Sequence, residues 1–160
     1  MDTISLSRIN LLHPIIREEV KNLVEIANSK LTSHSQMRVV QGLRTFKEQN
    51  DIYAQGRTKK GPIVTRAKGG QSYHNYGLAI DFALLIDGKE ISWNDRKDFD
   101  GDGVSDWTEV AKVFQEGGFL WGKAFNDLPH FEKTFGFNWR QLLEKYQNKL
   151  FIEGTQYVKI

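Results

Sequence analysis

Residues 72–82 read SYHNYGLAIDF, and this stretch holds the pattern that decides the fold. A polar loop ends at His74, and residues 77–85 alternate and then become apolar, which predicts a half-buried β-strand. Alternation along the strand places Ala79 and Asp81 on the same face. An aspartate within an apolar strand is unfavourable unless a cation compensates its charge. We therefore expect Asp81 to face either a divalent metal ion or an arginine.

The segments on either side of this strand alternate between helical and extended patterns. Pro14 suits the first turn of a helix, Thr45 and Glu48 form a capping-box pattern, and Asp87-Gly88 is a two-residue hairpin signal. We predict helices over about residues 14–31, 46–55, 107–116 and from 138 onward, and further strands over residues 37–43, 90–93, 119–122 and 129–133. Helices outside a small, mostly antiparallel sheet make the predicted fold α+β.

Length and composition narrow the classes of protein that fit. The chain has 160 residues, and we expect a single domain over residues 1–160. The absence of cysteine excludes disulfides, thiolate zinc sites and a cysteine nucleophile. A net charge of +2 gives no indication of nucleic-acid binding, and no apolar run reaches the ~18–20 residues of a membrane span. No secretory signal is visible in the first residues, so we expect synthesis in the cytoplasm.

A second segment, NDLPHFEK at residues 126–133, also combines a histidine with carboxylates. In a short strand His130 and Glu132 share one face while Phe131 points to the core. Asp127 precedes His130 by three residues and is expected to lie near this face.

Taken together, the two segments supply two imidazoles and one carboxylate from His74, Asp81 and His130. This is the ligand set of an open catalytic zinc site, in which water takes the fourth position. Non-haem Fe(II) oxygenases use a similar set but place the carboxylate closer to the first histidine, whereas here seven residues separate His74 from Asp81. Asp127, near the metal but not on it, is suited to accept a proton from water.

Three stretches of the chain resemble a known family of peptidases. QGLRTFKEQNDIYAQGRT at residues 41–58, GGQSYHNYGLAIDF at 69–82 and WGKAFNDLPHFE at 121–132 are similar to peptidoglycan L-alanyl-D-glutamate endopeptidases. These belong to the VanY-like D-alanyl-D-alanine carboxypeptidase superfamily, which includes phage endolysins and bacterial wall hydrolases. The resemblance extends over about residues 35–140 and implies the fold of the hedgehog and D-Ala-D-Ala peptidase domains.

The resemblance also assigns roles to individual residues. It implies that His74, Asp81 and His130 bind Zn²⁺. Asp127 matches the family's general base, and Arg44 matches the arginine that stabilises the oxyanion of the tetrahedral intermediate.

Further positions are expected to contact the substrate. Ser72 and Gln49 match family positions that line the site, and we expect Tyr76 to flank a stem peptide. The implied activity is a zinc endopeptidase that cuts peptidoglycan stem peptides between L-alanine and D-glutamate. A D,D- or L,D-carboxypeptidase and a non-catalytic, metal-stabilised binding module remain as alternatives. The resemblance further implies a monomer that acts at the cell wall after release by lysis or holin pores.

Residues 98–109, DFDGDGVSDWTE, match the twelve-residue EF-hand loop. Gly103 takes the sixth position, but Ser105 replaces the apolar residue of position eight, and no good helix enters the loop. We therefore predict an inserted solitary Ca²⁺ loop that orders the following helix and, through it, the segment of Asp127 and His130. The predicted calcium ligands are Asp98, Asp100, Asp102, the Val104 carbonyl, Asp106 and Glu109.

Overall fold

The computed structural model describes residues 1–31 and 34–160, and its centre is a five-stranded antiparallel sheet. The strands are β1 (Ser35–Gln41), β2 (Ala79–Ile86), β3 (Glu90–Ser92), β4 (Leu120–Trp121) and β5 (His130–Glu132). Strand β2 is central: β1 pairs along one edge, while β5 and β3 share the other edge, and β4 extends the sheet beyond β5. The register pairs Asp81 with His130, so the two predicted metal-binding segments lie side by side.

In the part of the chain that the structure describes, five α-helices and two 3₁₀ helices surround the sheet. The α-helices are α1 (Thr3–Ile9), α2 (Pro14–Lys30), α3 (Phe46–Ala54), α4 (Asp106–Glu116) and α5 (Trp139–Gln147), and the 3₁₀ helices are Tyr73–Tyr76 and Gly122–Phe125. The predicted capping box of Thr45 with Glu48 is present at the start of α3. A second capping box, Asn138 with Gln141, begins α5. Among the described residues, no helix is long and apolar enough to cross a membrane.

The core lies between one face of the sheet and the helices α1, α2 and α4, which contact one another and the strands. Phe131 stacks between Phe82 and Phe114, with ring centroids 5.3 and 4.7 Å away. All three rings are fully buried. Because side chains alternate along a strand, Ile80 and Phe131 turn into this core while their neighbours Asp81 and His130 turn to the opposite face. The core packing therefore determines which face of the sheet carries the polar cluster.

The α+β prediction is confirmed, and the predicted helices and strands are present with ends that differ by about two residues. The strand predicted at 37–43 begins earlier, at Ser35, and the hairpin at Asp87-Gly88 has the two positive φ angles, 49° and 68°, of a type I′ turn. Three elements lie outside the prediction: α1 and both 3₁₀ helices. Helix α1 has only Ser5 and Ile9 buried, so its apolar pattern is too sparse to detect.

Candidate metal centre

The 3₁₀ helix Tyr73–Tyr76 fixes the position of His74. The Ser72 hydroxyl caps this helix by accepting a hydrogen bond from the His74 backbone N–H at 3.3 Å. Gly77 ends it in the left-handed conformation, with φ 69°, and a Cβ there would lie 2.7 Å from the His13 backbone nitrogen. His74 is consequently buried, with 2% of its surface exposed, directly before β2 begins.

Three ligand atoms converge between the 3₁₀ helix, β2 and β5. His74 Nε2 lies 3.1 Å from Asp81 Oδ1 and 3.1 Å from His130 Nδ1, and the last two atoms are 3.0 Å apart. A tetrahedral ion with bonds of about 2.0–2.1 Å spaces its ligand atoms about 3.3 Å apart. The three atoms are therefore spaced as ligands of one metal ion.

The outer nitrogen of each histidine has its own acceptor. His74 Nδ1 donates to the Gly42 carbonyl at 2.7 Å, and His130 Nε2 donates to Glu132 Oε2 at 2.9 Å. Protons held at these outer positions leave lone pairs on the inner nitrogens, which point at each other and at the Asp81 carboxylate. Three converging lone pairs repel unless a cation or a proton lies among them, so the chemistry of this donor set fits a divalent metal ion.

The charges of the cluster reinforce this preference. Burial raises the pKa of the Asp81 carboxyl, but the neighbouring His74 and His130 outweigh it and hold that pKa well below its usual range. Burial lowers the pKa of His130, yet its hydrogen bonds with Asp81 and Glu132 dominate and raise it to about 9. Without metal, the cluster thus keeps a positive charge on His130 at neutral pH.

Arg44 occupies the other side of the Asp81 carboxylate. Its guanidinium lies 3.5 Å from Asp81 Oδ2 and donates a 3.0 Å hydrogen bond to Gln49 Oε1. Gln49 is completely buried and donates through Nε2 to the Ala67 carbonyl at 2.8 Å. Both cations expected for Asp81 therefore have a place, since one carboxylate oxygen faces the imidazoles and the other faces the arginine. Gln49, predicted to line the site, contacts Arg44 and holds its orientation.

Asp127 lies at the edge of the cluster, in the turn that leads into β5. Its backbone carbonyl accepts from the His130 N–H at 3.1 Å, and its own N–H donates to Gly122 at 2.9 Å. Its carboxylate accepts no hydrogen bond from the described part of the chain. The residue is exposed, yet desolvation by the surrounding protein raises the pKa of its carboxyl and the Asp81 charge raises it further, while His130, His74 and Arg44 lower it. The Asp127 carboxylate therefore interacts electrostatically with the cluster but is not one of the three converging ligand groups.

Tyr76 differs from its expected role. Its side chain is buried, with 3% of the residue exposed, and its hydroxyl donates to the Gly70 carbonyl at 2.7 Å. Burial raises the pKa of this hydroxyl above its ordinary value. The structure leaves Tyr76 almost no surface for the predicted contact with a stem peptide, because the ring completes the core below the site.

Two partners of the cluster were not assigned by the sequence: the Gly42 carbonyl and Glu132. A backbone carbonyl carries no residue-specific signal, so the Gly42 contact is invisible in the sequence. The strand alternation places Glu132 on the face of His130 but does not show that the two side chains pair, although carboxylate partners of metal-binding histidines are common.

The acidic residues predicted to bind calcium form two overlapping groups. One oxygen from each of Asp98, Asp100 and Asp106, and likewise from each of Asp100, Asp102 and Glu109, lies within 4.8 Å of the others in its group. Asp106 is fully buried, and its two oxygens accept from the Ser35 hydroxyl and the Phe99 N–H, which gives it a structural role in addition. Glu109 Oε2 is buried and has no hydrogen-bond partner within residues 1–31 and 34–160. Val104 is exposed, and its N–H donates to Asp102.

Comparison with known proteins identifies relatives by sequence and by structure. A family model described as D-alanyl-D-alanine carboxypeptidase matches residues 65–133. The peptidoglycan L-alanyl-D-glutamate endopeptidase CwlK of Bacillus subtilis (strain 168) is 48% identical over 124 residues, which are 76% of this chain and 72% of CwlK.

Two crystal structures share the fold. That of the Serratia marcescens L-Ala D-Glu endopeptidase ChiX matches 84% of this chain and 90% of its own, with a TM-score of 0.51 and 21% identity. That of the vancomycin resistance D,D-dipeptidase VanXYg, in complex with a D-Ala-D-Ala phosphinate analog, matches 89% of this chain and 61% of its own, with a TM-score of 0.50 and 22% identity.

Proposed function

Because the chain belongs to the D-alanyl-D-alanine carboxypeptidase family of metallopeptidases, we propose that it hydrolyses peptidoglycan stem peptides between L-alanine and D-glutamate. The observation that carries this proposal is the convergence of His74, Asp81 and His130, flanked by Arg44 and Asp127. The 48% identity to CwlK supports the choice of bond.

Zinc is the metal that the donor set favours, with His74 Nε2, Asp81 Oδ1 and His130 Nδ1 as its ligands. Zinc bound by two neutral imidazoles and one carboxylate supplies a net positive charge that acidifies water and polarises a carbonyl group. Gly42 and Glu132 hold the imidazoles in the tautomers that such binding requires.

Asp127 and Arg44 carry the remaining steps in this proposal. The Asp127 carboxylate accepts the proton of the attacking water and returns it to the leaving amine. Its raised pKa makes it a better proton acceptor than an ordinary aspartate, which suits this transfer. The Arg44 guanidinium provides fixed positive charge near the oxygen on which negative charge develops, and Gln49 prevents it from rotating away. Ser72 acts through the backbone of His74.

Mass spectrometry of purified peptidoglycan after digestion tests the bond that is cut. We expect two kinds of new fragment, one with L-alanine at its new C-terminus and the other with D-glutamate at its new N-terminus. A chelator should abolish both kinds of fragment, and added zinc should restore them. Release of terminal D-alanine alone would instead establish a carboxypeptidase. Sedimentation with cell walls without any product would establish a binding module. Product formed equally well in the presence of chelator would refute the metal.

A separate calcium site at residues 98–109 is also part of the proposal. Burial raises the pKa of Glu109, and the nearby Asp102, Asp100 and Asp106 raise it further, so a divalent cation would relieve both the burial and the repulsion. We expect Ca²⁺ to raise the melting temperature of the wild-type protein and to do so much less in Glu109→Gln. The same Ca²⁺ response in both proteins would exclude Glu109 as a ligand.

The place of action follows from the substrate. We expect the protein to act on the cell wall as a monomeric bacteriolytic enzyme of the endolysin type. Turbidity loss of bacterial suspensions on external addition tests lysis, and size-exclusion chromatography with light scattering tests the monomer. Intact cells alongside digested purified peptidoglycan would indicate wall remodelling instead of lysis.

A further inference from the structure

A groove of about 250 Å³ opens next to Asp127 and is not used by the steps proposed above. Its walls are Trp93, Asp95 and residues 126–129, and Trp107 also lines it. Trp107 is 2% exposed and belongs to the core, whereas Trp93 is 56% exposed. The groove therefore combines a rigid apolar base with an indole ring that is open to solvent.

The charged groups that line this groove are both negative. Among the described residues that line it, Asp95 and Asp127 are the charged ones. The carboxylate of Asp95 has no hydrogen bond or ion pair with any described residue, so its charge is available to a ligand. An exposed indole face attracts cations in addition, because its π-electrons form a negative surface. Carboxylates together with an open tryptophan are complementary to an ammonium group rather than to an anion.

The position of Asp127 at the groove indicates which part of a substrate would lie in it. In the proposed function, which this inference rests on, Asp127 contacts the amine of D-glutamate as that amine leaves. Because Asp127 borders the groove, this inference places the groove on the leaving side of the scissile bond. Stem peptides continue on that side with a diamino acid, whose side chain carries a primary amine.

We propose that Trp93 and Asp95 form a specificity subsite for the side-chain ammonium group of the diamino acid that follows D-glutamate. The indole face packs against the alkyl part of that side chain and attracts its charge, while the Asp95 carboxylate pairs with the ammonium group. Neither residue takes part in the hydrolysis itself, so the subsite affects the choice of substrate.

Matched synthetic peptides test this subsite. The first carries L-lysine after γ-linked D-glutamate, the second carries Nε-acetyl-lysine, and the third carries meso-diaminopimelate. Exposed ion pairs and exposed cation–π contacts each change binding by about two- to five-fold. We therefore expect kcat/KM of the wild-type enzyme to be about ten-fold higher for the lysine peptide than for the acetylated one. The diaminopimelate peptide should rank between them, because its extra carboxylate is repelled by the two aspartates.

The variants Asp95→Asn and Trp93→Ala should each narrow the lysine preference to about three-fold, and the double variant should bring it close to one. Glu90→Gln, which removes an exposed carboxylate on β3 outside the groove, should keep the full preference. Partial unfolding of a variant lowers kcat/KM for the lysine and acetyl-lysine peptides by the same factor, so the ratio of the two values reports only on the folded enzyme. A ratio as high as that of the wild type in Asp95→Asn or Trp93→Ala would therefore count against the subsite. Added salt should weaken the preference of the wild-type enzyme.

The results separate this inference from the function on which it rests. Equal cleavage of the lysine and acetyl-lysine peptides by the wild-type enzyme would overturn the subsite and leave the endopeptidase intact. A diaminopimelate peptide cleaved better than the lysine peptide would overturn the charge argument. No cleavage of any of the three peptides would overturn the proposed bond and the subsite together.

Discussion

Removal of the Glu132 carboxylate is expected to weaken metal binding without touching a ligand. Glu132 Oε2 accepts the Nε2–H of His130 at 2.9 Å and thereby keeps the lone pair of Nδ1 directed at Asp81 and His74. In Glu132→Ala the buried imidazole loses this partner, so the other tautomer and other ring orientations become accessible. His74 keeps its backbone acceptor at Gly42 in the same variant.

The magnitude follows from the type of contact that is lost. Partners of metal-binding histidines typically contribute 10–100-fold to metal affinity, which equals about 1.4–2.7 kcal/mol. We expect the zinc dissociation constant of Glu132→Ala to rise within this range, measured by competition with a chromophoric chelator at pH 7.5. Glu132→Gln retains an oxygen acceptor but not the charge, so its affinity should lie between those of the wild type and Glu132→Ala.

Two controls define what would refute this reasoning. Glu90→Gln removes an exposed carboxylate elsewhere in the sheet and should leave zinc affinity unchanged. Saturation of Glu132→Ala with zinc should restore activity, because the ligands and Asp127 are intact. If Glu132→Ala binds zinc as tightly as the wild type, the hydrogen bond does not control the His130 tautomer and the interpretation of the cluster is wrong.

Three further predictions concern the cluster. Asp127→Asn should lower kcat about 10²–10⁴-fold with unchanged zinc content, because it removes a proton carrier that is not a ligand. Assays on purified peptidoglycan, together with metal analysis, measure both quantities. Activity close to that of the wild type in this variant would exclude Asp127 as the general base. Gln49→Met should lower kcat about ten-fold with little effect on KM, since Arg44 loses a hydrogen bond of ~1.4 kcal/mol, whereas Gln49→Glu should retain more activity as an acceptor remains. In chelator, the raised pKa of His130 stabilises the fold fully below pH 6.5, and this contribution is lost as the pH rises through about 9. Thermal melts should show the decline over that interval, and a His130→Asn protein with the same pH slope would contradict the assignment.

The parts of the fold that the sequence predicts are those with local signals. Thr45 with Glu48 begins α3, Asn138 begins α5, and Asp87-Gly88 turns β2 into β3, because each of these features depends on residues within four positions of one another. The 3₁₀ helix that carries His74 has a cap of the same kind at Ser72, but the helix has four residues and no apolar period, so the sequence resembles a loop. The extent of the whole domain, residues 1–160, stays a prediction.

The sequence predicts the side chains of the candidate site but not the groups that orient these side chains. The sequence indicates His74, Asp81 and His130 because an aspartate within an apolar strand is unusual and because both histidines lie close to carboxylates in the chain. It left Gly42 without a role because any residue provides the same carbonyl. Contacts of this kind depend on the tertiary fold, which brings residue 42 to within a hydrogen bond of residue 74, and no spacing in the chain reports them.

The sequence leaves open whether a metal ion or an arginine compensates the charge of Asp81, and the structure provides a place for both. A half-buried aspartate in an apolar strand needs either a metal ion or an arginine. A carboxylate has two oxygens, however, and the structure gives Oδ1 to the imidazoles and Oδ2 to Arg44. Arg44 therefore compensates part of the Asp81 charge that would otherwise reduce the positive charge of a bound metal ion. The substrate carbonyl then meets a site more positive than the three ligands alone would make it. One ion pair thus both permits the partial burial of Asp81 and strengthens the field that the proposed hydrolysis requires.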